Sequence, residues 1–334
     1  MKDYSSVSMQ GTGNIIRRSI FIFLQNYQFF TTTAALLAFP FAVSVLLLQA
    51  FIPSTSFVRA IHDHLHALFD AAGLPSSSKL FTLLNSKLSQ TIAISFLAFP
   101  FTFSSLLFAK ASIFKALTDQ KPSKKPAVSS FFSLYSSLLL TQLCTSLVII
   151  SANATCFTLL FFAFNIFNCG FNLSSPEFIF LISVTGAIIY STVLASTMII
   201  CNLALVLSGI EKIGGYVAIL KACFLIRGKT ATALLLTLIF NLALAAVEAL
   251  FQYRIVKAYH HKRTGFSAIS LEGMFIAYLY AILLVLDTIS SCLFFECCKT
   301  GRQMDEEGCF PYQIEIEDRD NHAVLMTNTL EELS

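Results

Sequence analysis

Two hydrophobic stretches of this chain carry the same proline-centred motif, and that placement narrows the folds open to it. Leu37-Ala38-Phe39-Pro40-Phe41 recurs as Leu97-Ala98-Phe99-Pro100-Phe101. Ser44, Leu46 and Leu47 return as Ser104, Leu106 and Leu107, so eight of eleven positions match. Both copies lie in nearly uncharged stretches long enough to cross a bilayer. A mid-helix proline loses one backbone hydrogen bond, which lipid tolerates only where neighbours re-satisfy the freed carbonyl. The pattern predicts an all-α, polytopic membrane bundle with two related helices kinked at Pro40 and Pro100.

Hydrophobic residues make up 56% of the chain and charged residues 12%, about half the charge of a soluble domain. Roughly 20 apolar residues cross the hydrocarbon core. Six stretches qualify, at about 29–52, 89–112, 136–164, 178–208, 231–253 and 273–296. The third and fourth are longer than a bilayer requires and must tilt or extend into the interface. One membrane domain, 1–300, thus takes up nearly the whole chain, followed by a tail, 301–334. From Asp305 to Glu332 that tail holds nine of the nineteen acidic residues. It has too little apolar surface to offset the cost of ordering, which predicts disorder.

Lysine and arginine in the connections set the orientation. With a cytosolic N-terminus, fifteen of them lie on the cytosolic side and seven on the other, so both termini are expected in the cytosol. Several connections read as amphipathic helices lying in the membrane plane. Residues 57–70 put Phe57, Val58, Ile61, Leu65, Leu68 and Phe69 on one face, with Arg59, His62, Asp63, His66 and Asp70 on the other. Asn14 to Phe30 and Ile210 to Leu225 follow the same principle, although Gly214-Gly215 interrupts the second. Asp119 to Pro126 is a basic, proline-flanked turn.

Ionisable and amide side chains inside the spans are the first candidates for chemistry, since burying a charge in lipid is costly. Asp287 and Asn241 reach a similar depth, and Asn202 lies about a turn nearer the cytosol. Together they are expected to form an inward-facing polar cluster, serving either a substrate or proton site or interhelical hydrogen bonds. Glu248, near the opposite end of its span, can reach interfacial water or Arg254. His62, His66 and Asp70 recur at helical spacing, as weak metal candidates; a solvated polar face accounts for them equally well. Cys297-Cys298 sit where S-palmitoylation is favoured. Asn172-Leu173-Ser174 is a glycosylation sequon in a short loop, whereas Asn153-Ala154-Thr155 falls within a span and is expected to be inert. Of nine cysteines, only Cys169 falls clearly in a non-cytosolic loop, so no disulfide framework is implied.

Ile15-Ile16-Arg17-Arg18, the two proline-centred spans and Leu203 to Gly228 resemble a plant family of six-span membrane proteins. That family is distantly similar to the integral-membrane region attached to some bacterial glycerophosphodiester phosphodiesterases. The resemblance covers roughly residues 12 to 298. Relatives often carry a Trp before the third span, where this chain has Tyr135-Ser136-Ser137. The resemblance implies the topology and residence in the endoplasmic reticulum, Golgi or plasma membrane. It supplies no catalytic residue.

Nothing in the chain resembles a nucleotide-binding loop, a Ser/His/Asp set or a zinc-protease helix. The expectation is a non-catalytic membrane-organising or adaptor protein with no cofactor and no nucleic-acid partner. Its partners would be the lipid bilayer, anionic lipids and cytosolic or membrane proteins. The alternative is a small-solute or lipid transporter using the polar cluster of helices four to six.

Overall fold

The structure is a computed structural model that describes residues 2–52, 55–71, 79–118, 128–171, 176–257 and 266–307. Among these the fold is all-α. The helices are α1 (Lys2–Gln25), α2 (Tyr27–Thr33), α3 (Phe39–Phe51), α4 (Ser56–Ala71), α5 (Lys79–Phe101) and α6 (Leu107–Thr118). They continue with α7 (Val128–Phe171), α8 (Pro176–Glu211), α9 (Tyr216–Leu225), α10 (Thr230–Phe251) and α11 (Phe266–Glu307).

Six helical segments are long and apolar enough to cross a membrane: Tyr27–Phe51, Asn85–Thr118, Phe132–Leu159, Val184–Glu211, Thr230–Val256 and Ser270–Thr300. They coincide in order with the six apolar stretches of the sequence. At 44 residues, α7 is about 66 Å long by the 1.5 Å rise per residue. That is roughly twice the ~30 Å of a hydrocarbon core. The surplus places Cys169 within α7 rather than in a loop. Similarly, α11 runs on to Glu307, beyond the boundary expected at residue 300. Residues 308–334, the Asp119–Pro126 turn and Asn172 lie outside the described residues.

The two motif copies behave alike in one respect and differ in another. Each sits beside a π-turn, Ala34–Ala38 before Pro40 and Thr102–Leu106 after Pro100. In both copies the matched serine donates to the proline carbonyl, Ser44 to Pro40 at 2.6 Å and Ser104 to Pro100 at 2.7 Å. The two π-turns pack on one another, and α3 packs on α5. The repeat therefore builds a helix pair joined through its irregular segments.

A π-turn displaces the ladder by one residue and leaves a carbonyl over. In the second copy, the Leu107 N–H donates to the Thr102 carbonyl five residues back, which releases Phe103. The Tyr135 hydroxyl fills that gap, donating to the Phe103 carbonyl at 2.8 Å. Its ring stacks on Phe108, centroids 4.4 Å apart. The Tyr135 phenol thus ties α7 to the π-turn.

The centre of the bundle is α11, which packs against α1, α3, α6, α8 and α10. Ala277, Ala281, Val285 and Ile289 are buried along it. Facing segments present small residues too: Ala34, Ala38 and Ala42 are fully buried in the first span. Small side chains let backbones approach closely where lipid offers no hydrophobic drive to association. Between α6 and α8, Gly209 plays the same part, since a Cβ there would sit 2.2 Å from the buried Phe114 ring.

Tyr135→Phe should keep the ring stack but strand the Phe103 carbonyl, at a cost of about 1–3 kcal/mol for an unpaired buried acceptor. A lowered thermal midpoint in detergent, with unchanged helicity by circular dichroism, is the expected outcome. An unchanged midpoint would show that another donor serves that carbonyl.

Candidate functional site

Polar side chains inside the bundle concentrate at the end that holds α9. Three contacts fix the antiparallel register of α10 on α11. The Lys229 ammonium donates to the Cys297 carbonyl at 2.9 Å, the Tyr280 hydroxyl donates to Glu248 at 2.9 Å, and Arg254 pairs with Glu272 at 2.6 Å. Glu248 is thus held by Tyr280, and Arg254 takes a different acid from the one expected. Arg254–Glu272 marks one end of the pair of helices and Lys229–Cys297 the other.

That register sets Asn241 level with Asp287, as the depth count from the sequence implied. The expected cluster nevertheless does not form. Asn241 and Asn202 are exposed on the outside of the bundle, while Asp287 is half-buried on α11. The buried face of α10 runs through Ala233, Leu236, Phe240 and Phe251. Asn241 lies one residue, or about 100° of helix, beyond it.

Asp287 instead faces a basic residue of the second span. Lys110, half-buried on α6, is its charge partner across the α6–α11 contact, with Cys292 beside both. The two charges do not come into direct ion-pair contact. The signal for it was its place inside the second apolar stretch, 89–112, which α6 continues without a break, with Ala109 and Ala111 buried beside it.

Two hydroxyl arrays close the same end. The Ser290 hydroxyl donates to Ser19 at 2.7 Å, both fully buried, which pins α1 to α11. On the other flank, Thr141 donates to Ser208 at 2.9 Å, and the hydroxyls of Ser137 and Ser208 lie 3.0 Å apart. The Gly215 N–H donates to Thr141 at 2.9 Å. Gly215 has φ +73°, which favours glycine, and the neighbouring Gly214 lies flat against Ser137. Past the end of α8 at Glu211, this glycine pair seats the start of α9 on α7. Glu211 closes the corner by pairing with Lys221 of α9 and with Lys299 of α11, the latter at 3.3 Å. Lys221 and Lys299 are about half-exposed, so these pairs position the elements more than they stabilise them.

The remaining sequence candidates separate. His62 and His66 are half-buried and Asp70 exposed on α4. His66 Nδ1 pairs with Asp70 at 2.9 Å, and the two imidazoles are 6.4 Å apart. Among the described residues no group of three His, Cys, Asp or Glu converges to hold a metal ion. One helix face spreads its side chains along the axis and offers no third ligand from elsewhere. Asn85 was not foreseen: buried between α4 and α5, it donates to the His62 carbonyl at 3.3 Å, while its own carbonyl oxygen has no partner. Cys297 is exposed but Cys298 is buried, so only Cys297 of that pair is accessible to an acyl chain. Asn153 accepts from the Tyr190 hydroxyl at 2.6 Å, which occupies the amide of the intramembrane sequon.

Thr141→Val should leave the buried Gly215 N–H without an acceptor and cost about 1–3 kcal/mol. Thr141→Ser should restore most of it. Limited proteolysis near α9 checks this: faster cleavage for the valine variant alone is expected, and equal rates for both would contradict the role given to the hydroxyl.

No curated protein and no solved structure matches the chain. A family match covers residues 2–306, which takes in α1 to α10 and all of α11 but its last residue. On that match the chain belongs to the family described as Domain of unknown function (DUF8558).

Proposed function

We propose that this chain is a non-catalytic integral membrane protein that organises the bilayer around it. In this reading it resides in the endoplasmic reticulum, Golgi or plasma membrane with both termini in the cytosol, on the strength of the lysine and arginine bias. Its cytosolic end, built from α1, α9 and the end of α11, meets anionic lipids and partner proteins. Metals, cofactors and nucleic acid have no part in it.

The observation that carries the reading is the use to which interior polarity is put. The hydroxyls of Ser19, Ser290, Thr141 and Ser208, and the Tyr280–Glu248 pair, are spent on holding helices together. The asparagines that a midplane solute site would need point outward. A central helix that buries Ala277 and Ala281 and is packed on by five others fits a scaffold better than a cavity that must open in turn to either side.

One observation favours the transporter as a second reading. Lys110 and Asp287 face each other without direct pairing, and ionisable residues within a span mark solute or proton pathways by default. Reconstitution into liposomes with a panel of solutes and labelled lipids separates the two. The organising role predicts no flux above protein-free vesicles and normal folding of Asp287→Asn. Flux that falls in Asp287→Asn, with folding intact, would establish transport and remove the first reading.

A further inference from the structure

Helix α9 has two unlike faces. Ala218, Ile219 and Ala222 are buried against the bundle, whereas Val217, Leu220 and Phe224 are each 61% exposed. The exposed residues are spaced to form one stripe along the helix. Basic residues stand at the ends of that stripe, Lys212 before it and Arg227 after it, both exposed. Lys221, beside the stripe, is engaged by Glu211, so the free positive charge lies at the two ends.

Helix α1 repeats the arrangement. Ile15, Ser19 and Phe23 are buried, while Ile20, Phe21 and Leu24 are exposed behind the exposed Arg17 and Arg18. The two helices also meet the bundle toward the same end. Ser19 bonds to Ser290, and Lys229, just past α9, bonds to the carbonyl of Cys297. Seven residues of helix separate those points, about 10 Å along α11, comparable with the headgroup and upper-chain zone that amphipathic helices occupy.

We infer that α1 and α9 form a two-part collar that seats in one leaflet and gathers anionic lipids around the bundle. The apolar stripes enter the upper acyl chains, and Arg17, Arg18, Lys212 and Arg227 take up phosphate-bearing headgroups of net negative charge. Charge complementarity selects this occupant over a second copy of the chain or a partner helix, since cationic ends flanking an apolar stripe match an anionic lipid surface. The opposite end of the bundle supplies the contrast. There α4 also exposes apolar side chains, including Leu68, yet its exposed Arg59 is outnumbered by the exposed Asp63 and Asp70.

The chain contains no tryptophan, so one introduced indole reports alone. Leu220→Trp, Phe21→Trp and, as control, Leu68→Trp are placed in the full chain and reconstituted into vesicles of phosphatidylcholine with phosphatidylserine. Bromines are carried on the acyl chains of one lipid or the other at matched mole fraction. Both leaflets have the same composition, so protein orientation does not affect the comparison. Brominated phosphatidylserine should quench the α1 and α9 reporters more strongly than brominated phosphatidylcholine, and the α4 reporter should show no such preference. The enrichment should approach about fivefold per basic residue at low salt and shrink as salt rises. Arg17→Gln with Arg18→Gln should remove it at α1, and Lys212→Gln with Arg227→Gln at α9; all four side chains are exposed, so folding should survive.

Equal quenching by both lipids would overturn the inference, leaving the stripes in lipid without selection. Absence of quenching by either would overturn it as well, and so would emission that shifts with protein density, which is the signature of a second copy on the stripe. The inference rests on the organising role proposed above, but the two fail separately. Solute flux would remove that role and leave the quenching pattern standing, whereas loss of lipid preference would leave a flux-silent protein without this collar.

Discussion

Close approach to α11 is what the rest of the bundle depends on. In lipid, apolar side chains gain little by moving from acyl chains to protein, so helices associate through packing and hydrogen bonds. Packing of that kind requires small residues at the contacts, and α11 supplies them in Ala277 and Ala281. The first span answers with Ala34, Ala38 and Ala42, and α8 offers Ala204 and Gly209 to its own neighbours. Once those backbones are near, polar groups far apart in sequence come within reach, as when Ser19 meets Ser290. Remove the close approach and the hydrogen bonds lose their geometry together.

The second constraint is that backbone irregularity must be made good internally. The π-turn after Pro100 releases the Phe103 carbonyl, and Tyr135 satisfies it from another helix. The end of α8 leaves the Gly215 N–H in the interior, and Thr141 satisfies that. In each case the side chain that repairs the backbone also fixes one helix on the next. Irregular segments thus act as joints rather than as breaks, which explains how two proline-bearing spans coexist with a closed centre.

Much of the fold was legible in the sequence because hydrophobic length is a one-dimensional property. The six spans, the amphipathic α4 and the break at Gly214-Gly215 all follow from counting and periodicity. Depth was legible as well, since Asn241 does lie level with Asp287. Rotation about the helix axis was not. Which way Asn241 or Asn202 points depends on which neighbours press against the helix, and that is settled only by tertiary packing. The same limit hid the approach of Lys110 to Asp287, because span length gives no sign of which neighbour a residue inside a span faces. It also made Cys297 and Cys298 look equivalent, although adjacent residues on a helix point about 100° apart. The role of Tyr135 was hidden too, because its partner carbonyl is free only beside a π-turn that no sequence pattern announces.

Thermal unfolding in detergent of two matched substitutions shows whether small-residue contacts close on α11. Ala281→Leu adds bulk at a fully buried position on α11, while Ala245→Leu adds the same bulk at an exposed position on α10. Overpacking a closed contact costs typically about 1–3 kcal/mol. Closure on α11 predicts a clear drop in midpoint and loss of a monodisperse species for Ala281→Leu, with Ala245→Leu indistinguishable from the parent. Equal tolerance of both substitutions would contradict it, since that result requires open space beside α11.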